Sequence, residues 1–205
     1  MQKLLIGIIV FCYVFIFHAY KINALTEQKE IALTFDDEIR PAFFFGDVGI
    51  SKTLQDNNVR ATFFVLGYQV KSSPDIFKTL AGQGHEIENH TWGHENLLKL
   101  MRRGGIDAAL ENINKTSSEI ESVTGRHPKF FRPPYWALRE DLKTALEQKD
   151  YRVMTIGSPD INTLDYEYAA QKKPSSELVL HVLEIILRRE AHSIYRHVLV
   201  FHQTP

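Results

Sequence analysis

Two histidines four residues apart are the first feature of this sequence that could do chemistry. His90 and His94 begin and end the segment HTWGH, with an aromatic residue and a glycine between them. Side chains at i and i+4 lie on one side of a helix or a tight loop, so both imidazoles can reach one metal ion. The same spacing also arises by chance in a chain with nine histidines. The pair predicts a metal site only if the chain supplies a third ligand.

An adjacent pair of aspartates, Asp36 and Asp37, offers that ligand at the end of the first predicted strand. Alone, such a pair favours a turn or a helix N-cap. Together with two histidines it permits a division of labour. One aspartate and two histidines leave a fourth position for water, which is typical of a catalytic rather than a structural zinc site. The other aspartate can then act as the base that takes a proton from the water.

Further polar residues follow two later strand patterns. The segment RPPY, residues 132–135, is either a rigid turn with a surface arginine or part of a site. In a site, Arg132 pairs with a carboxylate, and the two prolines fix the backbone so that one N–H points at a developing oxyanion. His202 ends the last strand pattern. It is either a core histidine bonded to a carbonyl or, facing a metal site, a general acid.

Strand-like and helix-like patterns alternate along the chain, which predicts a parallel α/β fold, either a barrel or a doubly wound sheet. The strand patterns cover residues 31–36, 61–67, 85–90, 129–131, 151–157 and 197–202, and the helical patterns cover about 48–57, 75–82, 105–123, 139–149 and 175–190. The reactive residues lie at the ends of these strands, with Asp160 and Asp165 in the loop after the fifth. In a barrel such strand ends converge on one pocket, so the barrel is favoured.

Length and composition suit a single globular domain, and the N-terminal segment predicts its export. The chain has 205 residues, 44% of them hydrophobic, and a formal charge of −1. Nothing in this balance favours nucleic acid or an anionic membrane surface as a partner. An apolar run begins at Leu4 and ends at Phe17, shorter than the about 20 residues that span a bilayer. Residues 1–24 are therefore predicted to be a signal peptide, with an uncleaved anchor as the alternative, and residues 25–205 the catalytic domain.

Five segments in order resemble the motifs of the NodB-homology polysaccharide deacetylases, carbohydrate esterase family 4. They are TFDD (34–37), HTWGH (90–94), RPPY (132–135), DINTLDY (160–166) and VFH (200–202). The resemblance extends over about residues 30–204. It implies a distorted (β/α) barrel and metal-dependent removal of acetyl groups from sugars.

The resemblance also implies a role for each motif residue. Asp36 would be the catalytic base, held by Arg132. A divalent metal ion, zinc with Co²⁺ or Ni²⁺ as alternatives, would be bound by Asp37, His90 and His94.

Four further residues would complete the site. The backbone N–H of Tyr135 would join the oxyanion site. Asp165 would orient His202, the general acid, and Val200 would line the acetate pocket. The expected substrate is an N-acetylated glycan, either chitin oligosaccharide or peptidoglycan N-acetylglucosamine. The alternatives are an esterase for O-acetyl groups of xylan-type polysaccharide and a glycan-binding barrel with little activity.

The sequence departs from the family pattern beside the first motif and at its end. EIRP (38–41) and AFFFG (42–46) replace the usual residues after TFDD, and Tyr166 and Gln203 replace a tryptophan and an acidic residue. The chain ends at Pro205, so we expect the last helix and strand of the barrel to be missing and the edge of the 197–202 strand to be unpaired. Trp136 is either a sugar platform or a packing residue. Five other histidines are predicted to be surface or cap residues: His85, His127, His181, His192 and His197.

Overall fold

The computed structural model describes residues 30–41, 49–154, 160–162 and 196–202. For the residues beyond 154, and for Glu30 and Ile31, the description concerns the backbone alone. The predicted signal segment, the predicted helix at 175–190 and Asp165 lie outside the described residues. Within them, no helix combines the length and the apolar character needed to cross a bilayer.

Seven strands form one sheet in which the described pairings are all parallel. The strands are β1 (Glu30–Asp36), β2 (Thr62–Val65), β3 (Glu86–Asn89), β4 (Phe130–Phe131), β5 (Arg152–Val153), β6 (Asp160–Asn162) and β7 (Arg196–His202). Their order across the sheet is β5-β4-β3-β2-β1-β7-β6. The predicted parallel α/β architecture is confirmed.

Helices connect the first five strands, as is usual for parallel pairing. They are α1 (Ile50–Asp56), α2 (Gly67–Ser72), α3 (Pro74–Gly82), α4 (Leu97–Thr124) and α5 (Glu140–Glu147), with a 3₁₀ turn at Pro134–Trp136. Four of the five predicted helices correspond to described ones, and α2 is an addition. The helix α4 is two helices joined at Gly104 and Gly105, and Gly105 has φ +70°. The second part matches the predicted helix at 105–123 and ends at Gly125, as predicted.

Alternate residues of β2 show how the sheet separates its two faces. Phe63 and Val65 pack with Phe77 and Leu80 of α3 in a buried apolar cluster. Phe64, between them, lies on the other face, where its ring is 4.0 Å from the guanidinium of Arg132. One face of the sheet therefore supplies the helix-covered core, and the opposite face carries the polar residues described below.

Two expectations about the end of the chain are corrected. Asp160 was expected in a loop, but Asp160–Asn162 forms β6. This strand pairs with Val198–Val200 of β7, so the edge of β7 is paired over these three residues. The expectation of an unpaired edge is wrong there because a segment before the last crossover, rather than one after it, provides the partner strand.

Candidate active site

The motif residues lie where neighbouring parallel strands end. Asp36 is the last residue of β1, His90 follows β3, and Arg132 follows β4. Asn89 and Phe131 are register partners in β3 and β4, so the residues after them emerge side by side. Carboxyl ends of parallel strands meet at one edge of a sheet, which brings groups far apart in sequence into one site.

Asp37, His90 and His94 form a cluster with metal-ligand chemistry. One potential ligand atom from each of them lies within 4.8 Å of the others. The Oδ1 atom of Asp37 is 3.1 Å from Nε2 of His94 and 3.4 Å from Nε2 of His90. This is the one such group of three among the residues that the structure describes.

The hydrogen bond on the far side of His90 sets which nitrogen faces the cluster. Its Nδ1 is 2.7 Å from the carbonyl oxygen of Arg132. A carbonyl can only accept, so Nδ1 carries the proton and the neutral ring presents the lone pair of Nε2 to Asp37. The lone pairs of Nε2 of His90 and Oδ1 of Asp37 then face each other, and a cation bound between them would remove their repulsion. The second nitrogen of a metal-bound histidine is usually held in this way.

The carboxylate of Asp37 is prepared for the same role. Burial disfavours its ionised form, but when His90 and His94 are protonated, their hydrogen bonding and charge outweigh burial and hold the pKa of Asp37 well below its usual range. Its Oδ1 is buried and meets no donor in good hydrogen-bond geometry within the described part of the chain. The three residues fit a divalent ion that accepts two imidazole nitrogens and one carboxylate oxygen.

Several non-glycine residues around the cluster have the left-handed backbone conformation, which is unfavourable for residues with a side chain. Positive φ values occur at Asp37 (75°), Thr91 (70°), His94 (63°), Tyr135 (58°) and Trp136 (54°). These are five of the seven non-glycine residues with positive φ in the described chain. Each such residue costs on the order of 1–3 kcal/mol, and strain of this kind concentrates at functional sites.

A buried ion pair lies beside the cluster. Nη1 of Arg132 is 2.5 Å from Oδ1 of Asp36, and the two side chains are 1% and 3% exposed. The same Nη1 donates to Oγ1 of Thr34 at 2.9 Å. Nε and Nη2 of Arg132 are buried and have no partner among the described residues. Arg132 is therefore a core residue that fixes Asp36, and the alternative of a surface arginine is excluded.

The turn after Arg132 carries two aromatic residues with different surroundings. Tyr135 is 63% exposed, and its hydroxyl is 3.1 Å from Nδ1 of His94. Trp136 is half-buried, with its ring 5.5 Å from the guanidinium of Arg132, which favours a packing role. The backbone N–H groups of Trp136 and Ala137 donate to the two proline carbonyls before them. The role of the Tyr135 backbone N–H stays a prediction.

For the last two motifs, the structure describes the backbone of Val200 and His202 but does not describe Asp165. His202 is the register partner of Asp36 across β1 and β7, and Val200 is the partner of Thr34. The backbone of His202 thus runs beside the predicted base, while its role as an acid stays a prediction. Asp165 lies outside the described residues.

Among the other histidines, His85 corrects the sequence reading. It was expected at the surface or in a cap, but it is 2% exposed, and its Nδ1 accepts a hydrogen bond from the backbone N–H of Ala61. Burial, with the charge of Arg60, lowers its pKa and keeps the ring neutral. His127 is exposed and pairs with Glu121, as a surface residue can. His181 and His192 lie outside the described residues, and only the backbone of His197 is described.

Sequence reasoning gave no role to Asn89, which is fully buried beside His90 and hydrogen-bonded on both sides. The signal available was its position in GHEIENH, directly before the first histidine. A polar residue at a strand end next to a predicted ligand could have been noted as a support for it.

Comparison with known proteins identifies the family. The family model described as polysaccharide deacetylase matches residues 23–154, which include Asp36, Asp37, both histidines of HTWGH and Arg132. The chain belongs to this family, the NodB-homology group of carbohydrate esterase family 4. The matched stretch ends before DINTLDY and VFH.

Individual relatives carry related names. A peptidoglycan-N-acetylglucosamine deacetylase of Bacillus cereus is 40% identical over 151 residues, which is 73% of this chain and 51% of the relative. Chitin deacetylase 1 of Saccharomyces cerevisiae is 32% identical over 152 residues, 74% of this chain and 46% of the relative. The chain thus spans about half the length of these two proteins.

The fold is shared with a solved structure of the family. A crystal structure of a peptidoglycan N-acetylglucosamine deacetylase, in complex with 4-naphthalen-1-yl-N-oxidanyl-benzamide, superposes with a TM-score of 0.71 at 30% identity. The likeness covers 87% of this chain and 73% of that one. The predicted NodB-type α/β fold is confirmed.

Proposed function

We propose that this protein is a metal-dependent polysaccharide deacetylase that removes acetyl groups from N-acetylated glycan sugars. The proposal rests on one observation: a metal-ligand cluster and a buried aspartate–arginine ion pair lie side by side at one edge of the sheet. Asp37, His90 and His94 offer three ligand atoms within 4.8 Å, and the adjacent residue Asp36 is held by Arg132. A cluster of this kind next to a fixed carboxylate suits hydrolysis, whereas a protein that only binds glycan needs no base.

The three ligands would hold one divalent ion, and zinc is the ion that two imidazoles and one carboxylate suit best. When bound, the ion would polarise the acetyl carbonyl and make a water nucleophile available near neutral pH. His90 keeps its Nε2 free for this purpose through its bond to the Arg132 carbonyl.

The protein groups around the ion would perform the proton transfers. Asp36 accepts a proton from the water whose oxygen attacks the acetyl carbon. The backbone N–H of Tyr135 hydrogen-bonds to the oxyanion that forms. His202, oriented by Asp165, donates a proton to the sugar nitrogen as the carbon–nitrogen bond breaks. The products are acetate and a free amine on the sugar.

The names of the relatives support a cell-wall or chitin substrate. A peptidoglycan-N-acetylglucosamine deacetylase and a chitin deacetylase both act on acetylated glycans by name. We propose an N-acetylglucosamine-containing glycan as the partner of this chain, outside the cytoplasm. Export would depend on residues 1–24, as a signal peptide or as an uncleaved anchor.

The test is acetate release from N-acetylglucosamine oligomers and from peptidoglycan, before and after metal removal. We expect release that stops with a chelator and returns with Zn²⁺, and that falls about 10²–10⁴-fold in the Asp36→Asn variant. O-acetylated xylan is assayed in parallel to test the esterase alternative. Metal binding by the native protein with no acetate release from any of the three substrates would contradict the proposed activity.

A further inference from the structure

Asn89 connects the metal-ligand segment to the longest helix. It ends β3, one residue before His90, and is fully buried. Its side-chain Nδ2 donates to the carbonyl of Ile113 at 2.8 Å and to Oγ of Ser117 at 2.7 Å, both in α4. Its Oδ1 accepts from the backbone N–H of Thr91 at 2.9 Å. Both donor hydrogens and the acceptor are therefore engaged, on opposite sides of the residue.

The backbone of Asn89 is tied to the second half of the site. Its carbonyl oxygen accepts from the N–H of Arg132 at 3.1 Å. The carbonyl of Arg132 in turn accepts from Nδ1 of His90, and its guanidinium holds Asp36. A shift of Asn89 would therefore move Arg132, and through Arg132 it would move the metal ligand His90 and the predicted base Asp36.

Thr91 shows why the segment after Asn89 needs support. It has φ +70°, a conformation that is costly for a β-branched residue. Its neighbours His90 and His94 must point their rings at one position despite this cost. The carbonyl of Thr91 accepts from the N–H of Gly67, and its Oγ1 accepts from the N–H of Glu95. The bond from its own N–H to Asn89 links Thr91 to α4, and the N–H of Trp92 makes a separate link by donating to Oδ1 of Asn112 at 2.9 Å.

We propose that Asn89 is a positioning residue that holds the segment 90–94 and Arg132 in the geometry that binds the metal ion. It acts by transmitting the fixed position of α4 to Thr91 through one side chain. This inference rests on the proposed metal-dependent function. Groups that hydrogen-bond to metal ligands typically change metal affinity roughly 10–100-fold when they are removed, and we expect Asn89, which acts through Thr91 and Arg132, to fall at the lower end.

A general structural role would give a different result. Ser117 is a matched control because it hydrogen-bonds to Asn89 at 2.7 Å and to the hydroxyl of Tyr151 at 2.6 Å, but makes no hydrogen bond to Thr91 or Arg132. Ser117→Ala removes one tie between Asn89 and α4 but leaves the tie to Ile113. If Asn89 only stabilises the core, both substitutions should lower the unfolding midpoint and spare the metal affinity.

The experiment compares the native protein, Asn89→Ala and Ser117→Ala at a temperature where all are folded. Zn²⁺ affinity is measured by competition with a chelating dye, and amide hydrogen exchange is measured on the metal-free proteins. We expect Asn89→Ala to bind Zn²⁺ about ten-fold more weakly and to exchange the amides of residues 91–95 faster. Ser117→Ala should remain within about three-fold of native affinity, with native exchange in that segment.

Three outcomes would overturn the inference: native affinity in Asn89→Ala, an equal loss in Ser117→Ala, or unchanged exchange at 91–95. If Asn89→Ala does not fold, Asn89→Asp replaces it, because Asp keeps the acceptor for Thr91 and loses both donors. Both ties to α4 are then lost, so the amides of residues 91–95 should exchange faster than in the native protein, and native exchange there would overturn the inference. A native protein that binds no metal would instead contradict the proposed function.

Discussion

The carbonyl oxygen of Arg132 accepts a hydrogen bond from His90, while the guanidinium of the same residue holds Asp36. The two contacts are 2.7 and 2.5 Å long. Arg132 therefore orients a predicted metal ligand with its backbone and the predicted base with its side chain. The ligand and the base sit in a fixed relation because one buried residue contacts both.

His90→Ala and His94→Ala should each remove metal binding and activity. Each loses one of only three ligand atoms in the cluster. Because the loss of a group that merely supports a ligand already costs 10–100-fold, the loss of a ligand should cost about 100-fold or more in affinity. Metal content after dialysis, measured by atomic emission, checks this. A double variant that retains a full equivalent of metal would contradict the assignment of these ligands.

Substitutions of the two adjacent aspartates should separate binding from catalysis. Asp36→Asn should retain the metal and lower turnover about 10²–10⁴-fold, since it removes a base and no ligand. Asp37→Asn should weaken metal binding itself. Metal affinity and acetate release are measured on both variants, which differ by one position and carry the same chemical change. The reverse pattern would mean that the two roles are exchanged.

The buried ion pair should be visible in stability as well as in activity. Arg132→Leu leaves the carboxylate of Asp36 buried without its partner, which typically costs about 3–5 kcal/mol. The double variant Asp36→Asn, Arg132→Leu removes both charges and should lose less than the sum of the single variants. Urea unfolding of the four proteins gives this coupling energy. Additive losses would mean that the 2.5 Å contact contributes little in solution.

The sequence predicted those elements whose apolar pattern matches the face that they bury in the fold. β2 is a continuous apolar run, and the second part of α4 has apolar residues at helical spacing up to Gly125. The helix α2 gave no such signal, because only Gly67 and Val70 among its six residues are buried. The first part of α4 was missed because Gly104 and Gly105 interrupt the pattern.

The site could be predicted as far as its residues lie at strand ends. Asp37, His90 and His94 meet because parallel strands end at one edge, a rule that needs no coordinates. The burial of His85 and the function of Asn89 depend on partners that no local pattern identifies. Asn89 bonds to residues 24 and 28 positions away, and that pairing exists only once α4 packs on the sheet.

Glu88, which lines a cavity that does not include the metal cluster, should make the stability of the protein depend on pH. It is 5% exposed, lies next to a cavity of about 490 Å³, and accepts a hydrogen bond from the N–H of Phe130. Burial raises its pKa to about 7, and although the bond from Phe130 opposes this, the charge of Glu86 adds to it. The folded protein therefore keeps a proton that the unfolded chain has already released.

The sign of the effect follows from that difference. The unfolded pKa is 4.5 and the folded pKa is about 7, so the contribution of Glu88 is fully present below pH 4.5 and is lost as pH rises through 7. The loss amounts to about 3 kcal/mol at most. Glu88→Gln keeps an acceptor for Phe130 and cannot ionise, so its stability relative to native should rise between pH 5 and pH 8. Glu111→Gln, an exposed glutamate on α4, is the control and should follow the native curve. Urea unfolding across this range decides the matter, and parallel curves for native and Glu88→Gln would show that Glu88 is ionised in the folded protein throughout.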